Sequence, residues 1–335
     1  MSNALENTPD LDVPRASETK ESKSDLIFKT VARSAGVATV GIMLAVGLFL
    51  SLNGAQAIAK AGWSFLSVQQ WDTTNPQQGS FGIAAVLFGT IQIALIALCV
   101  SFPLSFGSAL LISEVLPNGI KSFVISVVDL MAAVPSVIFG LWGVFFLQSN
   151  VIPVSKWISE VAAFLPFLAV TDESGAALSE PSAFTSSSFI AGIVVGLMVV
   201  PTQTSVMREA FSQAPIGERE GALALGSTRW GMITSVVLPY GRGGIIGGTM
   251  LGLGRALGET IAVYMIISPI FAINWQILKS GGNSVSALIA LRYGEASPFG
   301  LSALMAAGLV LFLITMAINF TASSIVARSR SGVDN

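Results

Sequence analysis

The sequence predicts an all-α membrane protein with six transmembrane helices. Of its 335 residues, 53% are hydrophobic and only 11% are charged, and the mean hydropathy is +0.75. A soluble domain carries about 25% charged residues. Apolar runs of about 20 residues, long enough to cross a bilayer as a helix, recur along the chain. The predicted spans are Val31–Leu52, Phe81–Leu111, Ser122–Leu147, Ser188–Met207, Gly243–Ile270 and Phe299–Val326.

The spans divide the chain into four predicted regions. Residues 1–30 are polar and lack the basic start and apolar centre of a signal peptide, so we expect a disordered cytoplasmic tail. Residues 31–80 hold the first transmembrane helix and an external loop. Residues 81–326 form a core with the other five transmembrane helices, and residues 327–335 form a second cytoplasmic tail.

Basic residues predict the orientation of these helices. If both termini are cytoplasmic, twelve lysines and arginines fall on inside segments and four on outside segments. Lys and Arg concentrate on the cytoplasmic side of membrane proteins, which favours this orientation. The loops 53–80 and 148–187 are then external, and the loop 208–242 is internal.

Composition argues against several kinds of chemistry. The chain has no histidine and one cysteine, Cys99, so an internal disulfide or a cysteine metal cluster is excluded. It also has no Gly-rich Lys-Ser/Thr loop to hold the phosphates of ATP. We find no nucleophile with an adjacent base. We therefore expect no enzyme activity, no metal site and no cofactor in this chain.

The internal loop 208–242 contains a spaced motif. Alanines and leucines in "REAFSQAPIGEREGALALGSTRW" predict short helices, with turns at Gly217, Gly226 and Gly231. An ordinary amphipathic helix on the membrane surface is the alternative. The motif resembles the coupling loop of permease subunits of bacterial ATP-binding cassette importers. In that loop E-A-A is followed by three residues, a G, nine further residues and then I-x-L-P. The matching positions are Glu220, Gly221, Ala222, Gly226, Leu238 and Pro239, with glycine at 221 for alanine and valine at 236 for isoleucine.

This resemblance implies a fold and a partner. The fold is the MetI-like permease fold of type I importers, with a cytoplasmic coupling-helix loop. The loop would dock on a separate ATPase chain that binds the ATP.

The fifth span carries two opposite charges in "GRALGETIAVY", Arg255 and Glu259. Residues four apart share one face of a helix and can pair. Because each charge costs about 2.5–3.5 kcal/mol at the centre of a membrane helix, a substrate pathway is our first hypothesis. A structural ion pair is the alternative. Arginine offers a planar fork that suits an oxyanion, and a glutamate can accept a hydrogen bond from a protonated phosphate oxygen, which sulfate lacks.

Small residues repeat along the same span at four-residue spacing, which lets helices approach closely. We assign helix packing to Gly244, Gly248, Gly252, Gly254 and Gly258.

Other polar residues lie within or beside the spans. Asp129 could pair with Arg255 or lie near the cytoplasmic end of its helix, and we favour the latter. The segment Pro201–Ser205 could line an exit or end its helix, and we favour the helix end. Asn319 is predicted to make structural hydrogen bonds between helices.

The stretch "GLGRALGETIAVY" resembles the signature of phosphate importer permeases of the PstC family, and the resemblance extends from Val31 to Val326. It implies transport of inorganic phosphate across the bacterial inner membrane, with Arg255 and Glu259 taking part. It also implies a PstA-like sister permease, a PstB-like ATPase dimer and a PstS-like extracytoplasmic phosphate-binding protein; no nucleic acid partner is expected. The alternatives are a permease for sulfate or molybdate and a stand-alone secondary anion transporter.

Overall fold

The computed structural model describes residues 22–73, 79–172 and 174–330, which are mostly helical. Isolated β-bridges, such as that between Ser187 and Ser280, pair short loop segments. The described residues form two compact units, one that ends at Leu48 and one that begins at Phe49. The α-helices are α1 (Lys23–Ala61), α2 (Ala84–Leu110), α3 (Asn118–Ala132), α4 (Ser136–Trp142), α5 (Gln148–Val161), α6 (Ser188–Ser212), α7 (Ile216–Ala224), α8 (Arg229–Met232), α9 (Leu238–Gly258), α10 (Ile261–Ile266), α11 (Val285–Arg292) and α12 (Pro298–Arg330).

The predicted fold class is confirmed by membrane-length helices. Within the described residues, five helical stretches are long and apolar enough to cross a membrane. They are Lys23–Leu66, Ala84–Val115, Ser136–Val161, Ser188–Ser212 and Pro298–Ile325. The chain is therefore a multi-pass membrane protein.

Both terminal helices extend beyond the predicted spans. Helix α1 begins at Lys23, so the predicted disordered tail is wrong for residues 23–30. Asp25 lies in its first turn, where a carboxylate interacts favourably with the helix dipole. Residues 1–21 lie outside the described residues. Helix α12 continues to Arg330, so the predicted second tail is helical up to that residue, and residues 331–335 again lie outside the described part.

The third predicted span, Ser122–Leu147, is wrong in its boundaries. Helix α3 ends at Ala132, and a new helical stretch runs from Ser136 to Val161. Pro135 causes the break, because proline has no N–H to donate and moves the preceding residue out of the helical region. Its ψ of 140° is extended. The loop 148–187 that we predicted therefore begins as a helix, α5.

The fifth predicted span is divided in two. Helix α9 ends at Gly258, and α10 begins at Ile261. Helix α9 is not among the five apolar membrane-length stretches, since glycines and two arginines lower its hydropathy. It nevertheless packs against α2, α6 and α12 of the second unit. The largest of the apolar clusters formed by buried residues includes Ile93, Val194, Met198, Leu257 and Val263.

Candidate functional site

Arg255 lies in the last turn of α9 and lines an open cavity. Its Nη1 donates a hydrogen bond to Thr202 Oγ1 on α6 at 3.0 Å. Among the described residues, Thr202 is the only hydrogen-bond partner of this guanidinium, which can make five such bonds. The cavity has a volume of about 520 Å³. It is lined by Leu251, Gly254, Arg255, Gly258, Gly308, Leu311, Phe312, Thr315 and Asn319.

Glu259 does not pair with Arg255, contrary to the prediction from their spacing. The pairing requires one continuous helix, but Glu259 follows the last residue of α9 and has an extended backbone, with ψ of 126°. Glu259 Oε1 accepts a hydrogen bond from the Ala262 N–H at 3.2 Å, in the first turn of α10. The carboxylate thus caps the N-terminus of α10, where the helix dipole favours a negative charge.

Three of the predicted packing glycines bring α9 against α6. A Cβ at Gly244 would collide with the Ala210 side chain, and one at Gly252 would collide with the Gln203 amide. A Cβ at Gly248 would lie 3.1 Å from Met207 Cγ. At Gly244 and Gly252 the side chains of α6 leave no room for a Cβ, so glycine at these two positions allows α9 to lie this close to α6.

The other two predicted packing glycines differ. Gly254 faces α12, and its Cβ would lie 3.4 Å from Asn319 Oδ1, an ordinary contact. A Cβ at Gly258 would have no atom within 4 Å, so the predicted packing role of Gly258 is wrong. Gly258 instead lines the Arg255 cavity at the point where α9 ends.

Polar residues in the middle of α6 make hydrogen bonds to the neighbouring helices. The segment Pro201–Ser205 does not end its helix, as we had favoured, because α6 continues to Ser212. Gln203 is completely buried. Its Oε1 accepts a hydrogen bond from Ser105 Oγ at 3.0 Å, and its Nε2 donates to Thr249 O at 3.5 Å. One glutamine thereby joins α2, α6 and α9, a role that sequence reasoning missed.

Asp129 lies beside α6, and Asn319 lies beside the Arg255 cavity. Asp129 Oδ1 accepts a hydrogen bond from Ser205 Oγ at 3.5 Å, so it neighbours α6 and does not pair with Arg255. Asn319 is exposed and lines the Arg255 cavity. The predicted interhelical hydrogen bond of its side chain is not formed within the described residues.

The 208–242 loop forms a helix–turn–helix, as predicted. Helix α7 is followed by a turn at Gly226, whose φ of +87° is a conformation that glycine adopts at low cost. Helix α8 then passes through a π-helical turn into α9. Gly217 and Gly231 lie inside helices, so the turns predicted at these two residues are wrong.

One side of this helix–turn–helix packs on the spans. Ala222 and Leu238 contact a buried apolar cluster formed by the ends of α2 and α6 together with Met232 and Val237. Gly221 is half-buried, while Glu220 and Pro239 are exposed, the latter in the first turn of α9.

Three large apolar side chains of the loop are exposed. Leu225 is 91% exposed, Ile216 is 73% exposed and Trp230 is 63% exposed. We call these three residues the loop surface.

A buried ion pair beneath the loop was not predicted. Arg219 Nη1 lies 3.0 Å from Glu114 Oε2, and the two side chains are only 19% and 3% exposed. Glu114 stands in a π-helical turn, Leu111–Val115, at the end of α2. Arg219 lies between two glutamates in the sequence, so nothing in its position along the chain distinguishes it from an ordinary surface charge.

Metal-ligating side chains are not clustered in the residues that the structure describes: no group of three or more His, Cys, Asp or Glu side chains could hold a metal ion. The arrangement at Arg255 can bind an anion by charge and hydrogen bonding.

Comparison with known proteins identifies similar sequences. A family model described as binding-protein-dependent transport system inner membrane component matches residues 111–334. The phosphate transport system permease protein PstC of Xylella fastidiosa is 34% identical over 306 residues, covering 91% of each chain. PstC 2 of Mycobacterium tuberculosis is 34% identical over 311 residues, 92% of this chain and 94% of the relative. PstC of Pasteurella multocida is 34% identical over 88% of this chain and 89% of its own length.

Solved structures share the fold at low sequence identity. A chain of a bacterial ABC transporter that imports the acidic polysaccharide alginate aligns with a TM-score of 0.55 at 18% identity, over 90% of this chain and 98% of its own. A chain of the MetNI methionine ABC transporter, in an inward-facing conformation, aligns with a TM-score of 0.51 at 14% identity, over 74% of this chain and 95% of its own. The predicted MetI-like fold is therefore confirmed.

Proposed function

Because this chain belongs to the family of binding-protein-dependent transport system inner membrane components, we propose that it is the permease subunit of an ATP-driven phosphate importer. Its similarity to PstC proteins over about nine-tenths of its length supports phosphate as the substrate. The observation that carries the proposal for the site is Arg255, a permanent positive charge beside a cavity in the glycine-rich helix α9.

The proposed assembly includes three kinds of partner protein. A PstA-like sister permease would form the translocation pathway together with this subunit, and a PstS-like extracytoplasmic protein would deliver phosphate. The sequence contains no ATP-binding loop of its own, so we assign ATP binding and hydrolysis to a PstB-like ATPase dimer. Both termini are assigned to the cytoplasm from the excess of basic residues on that side.

Arg255 would lower the energy of an anion that crosses the apolar region. Its guanidinium keeps donors available because its hydrogen bonding within the described residues is limited to Thr202. A hydrogen bond to a charged group contributes about 1.5–3 kcal/mol. Thr315 and Asn319, on the wall formed by α12, would supply neutral polar contacts to the same ion.

Glu259 would discriminate between anions. Its carboxylate is not neutralised by Arg255, and Oε1 already caps α10. Oε2 would accept a hydrogen bond from a protonated phosphate oxygen. Sulfate has no such proton at neutral pH and cannot donate this hydrogen bond.

The loop surface would dock on the ATPase. ATP binding closes the ATPase pair, and the loop would transmit that movement to the spans, which then alternate between outward and inward openings. The apolar residues Ile216, Leu225 and Trp230 are exposed as such docking requires.

Uptake of radiolabelled phosphate tests the proposal, in cells that lack the gene and carry wild type or a variant at matched expression. We expect wild type to restore uptake. Arg255→Ala should lower the rate by about tenfold or more, from the loss of a charged hydrogen-bond donor. Arg255→Lys should fall between the two, since lysine keeps the charge but loses the planar fork. Glu220→Ala should lower uptake through the loop.

Arg33→Ala is the matched control, because Arg33 is an exposed arginine on α1. If wild type restores uptake of sulfate or molybdate and not of phosphate, the substrate assignment is wrong. If Arg255→Ala takes up phosphate at the wild-type rate, Arg255 has no part in the pathway.

A further inference from the structure

Arg219 joins three segments of backbone and side chain beneath the loop. Its Nη2 donates to Phe211 O in the last turn of α6, and its Nε donates to Ala214 O at 3.1 Å in the following linker. Its Nη1 donates to Glu114 Oε2. The last carbonyls of a helix have no partner within the helix, so this guanidinium also caps α6.

Within the described residues, Arg219 is the only hydrogen-bond partner of the Glu114 side chain. Its side chain is 3% exposed, and Oε1 is buried without any hydrogen bond. A buried carboxylate that loses its cation is strongly destabilised. The loop therefore cannot move away from the end of α2 without either carrying Glu114 with it or leaving its charge uncompensated.

We propose that the Glu114–Arg219 ion pair is the joint that transmits movement of the 208–242 loop to α2 during the transport cycle. The inference rests on the proposed function. Both residues are positioning residues, since neither lies on the substrate cavity or on the loop surface.

Within the described residues, the loop and the end of α2 also share an apolar cluster. Ala109 and Met232 belong to this cluster, and Phe106 and Ala222 pack against it. Apolar contacts are not directional and allow sliding, whereas an ion pair with a fork of donors fixes direction and distance. The ion pair is thus the element that makes the loop and the end of α2 move together.

The test compares transport with ATP hydrolysis in liposomes that contain the complete importer: this subunit, its sister permease, the ATPase and the binding protein. The quantity measured is phosphate taken up per ATP hydrolysed, normalised to assembled complex. Glu114→Gln keeps the shape and removes the charge, and we expect it to lower the ratio by about fivefold or more, the usual lower range of coupling between sites. Arg219→Gln should have the same effect.

The double variant separates this role from a purely structural one. If the two residues act only as a pair, Glu114→Gln with Arg219→Gln should lower the ratio no further than either single variant. A structural role would reduce the amount of complex and leave the ratio unchanged. Glu209→Gln, which removes an exposed carboxylate close by in the sequence, is the control and should keep the wild-type ratio.

Two results would overturn the inference: single variants with the wild-type ratio, or a double variant whose loss is the product of the single losses. If Glu114→Gln does not assemble, Glu114→Asp keeps the charge at shorter reach and should give an intermediate ratio; a wild-type ratio there also contradicts the inference. Failure of the proposed function is recognised separately, because wild type would then take up no phosphate. The ratio is in that case measured with whichever of sulfate and molybdate is taken up.

Discussion

Replacing Gly252 by alanine should destabilise the protein through Gln203. A Cβ at Gly252 would lie 2.7 Å from Gln203 Cγ and would collide with the amide group of the same side chain. Gln203 cannot easily move away, because it is completely buried and hydrogen-bonded to Ser105 and Thr249. The substitution should therefore overpack the interface between α6 and α9 or break these hydrogen bonds.

The expected loss of stability is about 2 kcal/mol. Overpacking costs about 1–3 kcal/mol, and one lost hydrogen bond costs about 1 kcal/mol. Replacing a glycine within a helix returns about 0.5–1 kcal/mol. With an unfolding entropy of about 2 cal/mol/K for each residue, this corresponds to a fall in Tm of about 3 °C.

Thermal unfolding of the purified protein in detergent measures the effect. Gly247→Ala is the matched control in the same helix, since a Cβ there would have no atom within 4 Å, and it should be neutral or stabilising. Combining Gly252→Ala with Gln203→Ala should cost less than the sum of the two changes, because the clash disappears. If Gly252→Ala and Gly247→Ala unfold at the same temperature, the reasoning about close approach is wrong.

Three further predictions concern the loops. Gly226→Ala should lower the free energy of unfolding by about 1–2 kcal/mol because of the positive φ, whereas Gly221→Ala, with no neighbour within 4 Å, should not; equal Tm values would contradict this. Leu225→Glu should change stability by less than about 0.5 kcal/mol but raise the Kd for the ATPase by about tenfold or more, as the burial of one leucine predicts; an unchanged Kd in a binding titration would remove Leu225 from the docking site. Hydrogen bonds from the Ser174 side chain and from the Ala176 N–H lower the pKa of Asp172 below its ordinary value of 3.8. The turn formed by these hydrogen bonds should be fully stable above pH 3.8 and should be lost as the pH falls through the lower pKa of Asp172 in the folded protein. Amide exchange at Ala176 measures this loss. A turn whose amide exchange does not depend on pH would refute the prediction.

Hydropathy predicts the kind of the long helices, because a membrane span requires apolar length. It predicts six spans, whereas five helical stretches of the described residues are long and apolar enough to cross a membrane. It does not predict where they break. In the third span, Pro135 was visible in the sequence, but the polar residues after Leu147 indicated a loop. The structure continues as a helix to Val161 because the backbone groups are then paired within the segment.

The sequence singles out Arg255 as a candidate site residue, but it does not predict the geometry around it. The charge of Arg255 within apolar sequence is a local signal, and the cavity beside it fits that signal. The partner of Glu259 depended on whether the helix continued past Gly258, which residue spacing cannot decide. Glu114 and Arg219 lie 105 positions apart, so only the folded chain shows that they meet.

The loop surface also has a consequence for biosynthesis. A newly made subunit that has not met its ATPase would present Leu225, Ile216 and Trp230 to water. Such a surface invites non-specific association and is recognised by chaperones and proteases. If the loop docks on an ATPase as proposed, subunit made in excess of that partner should be degraded before assembled subunit.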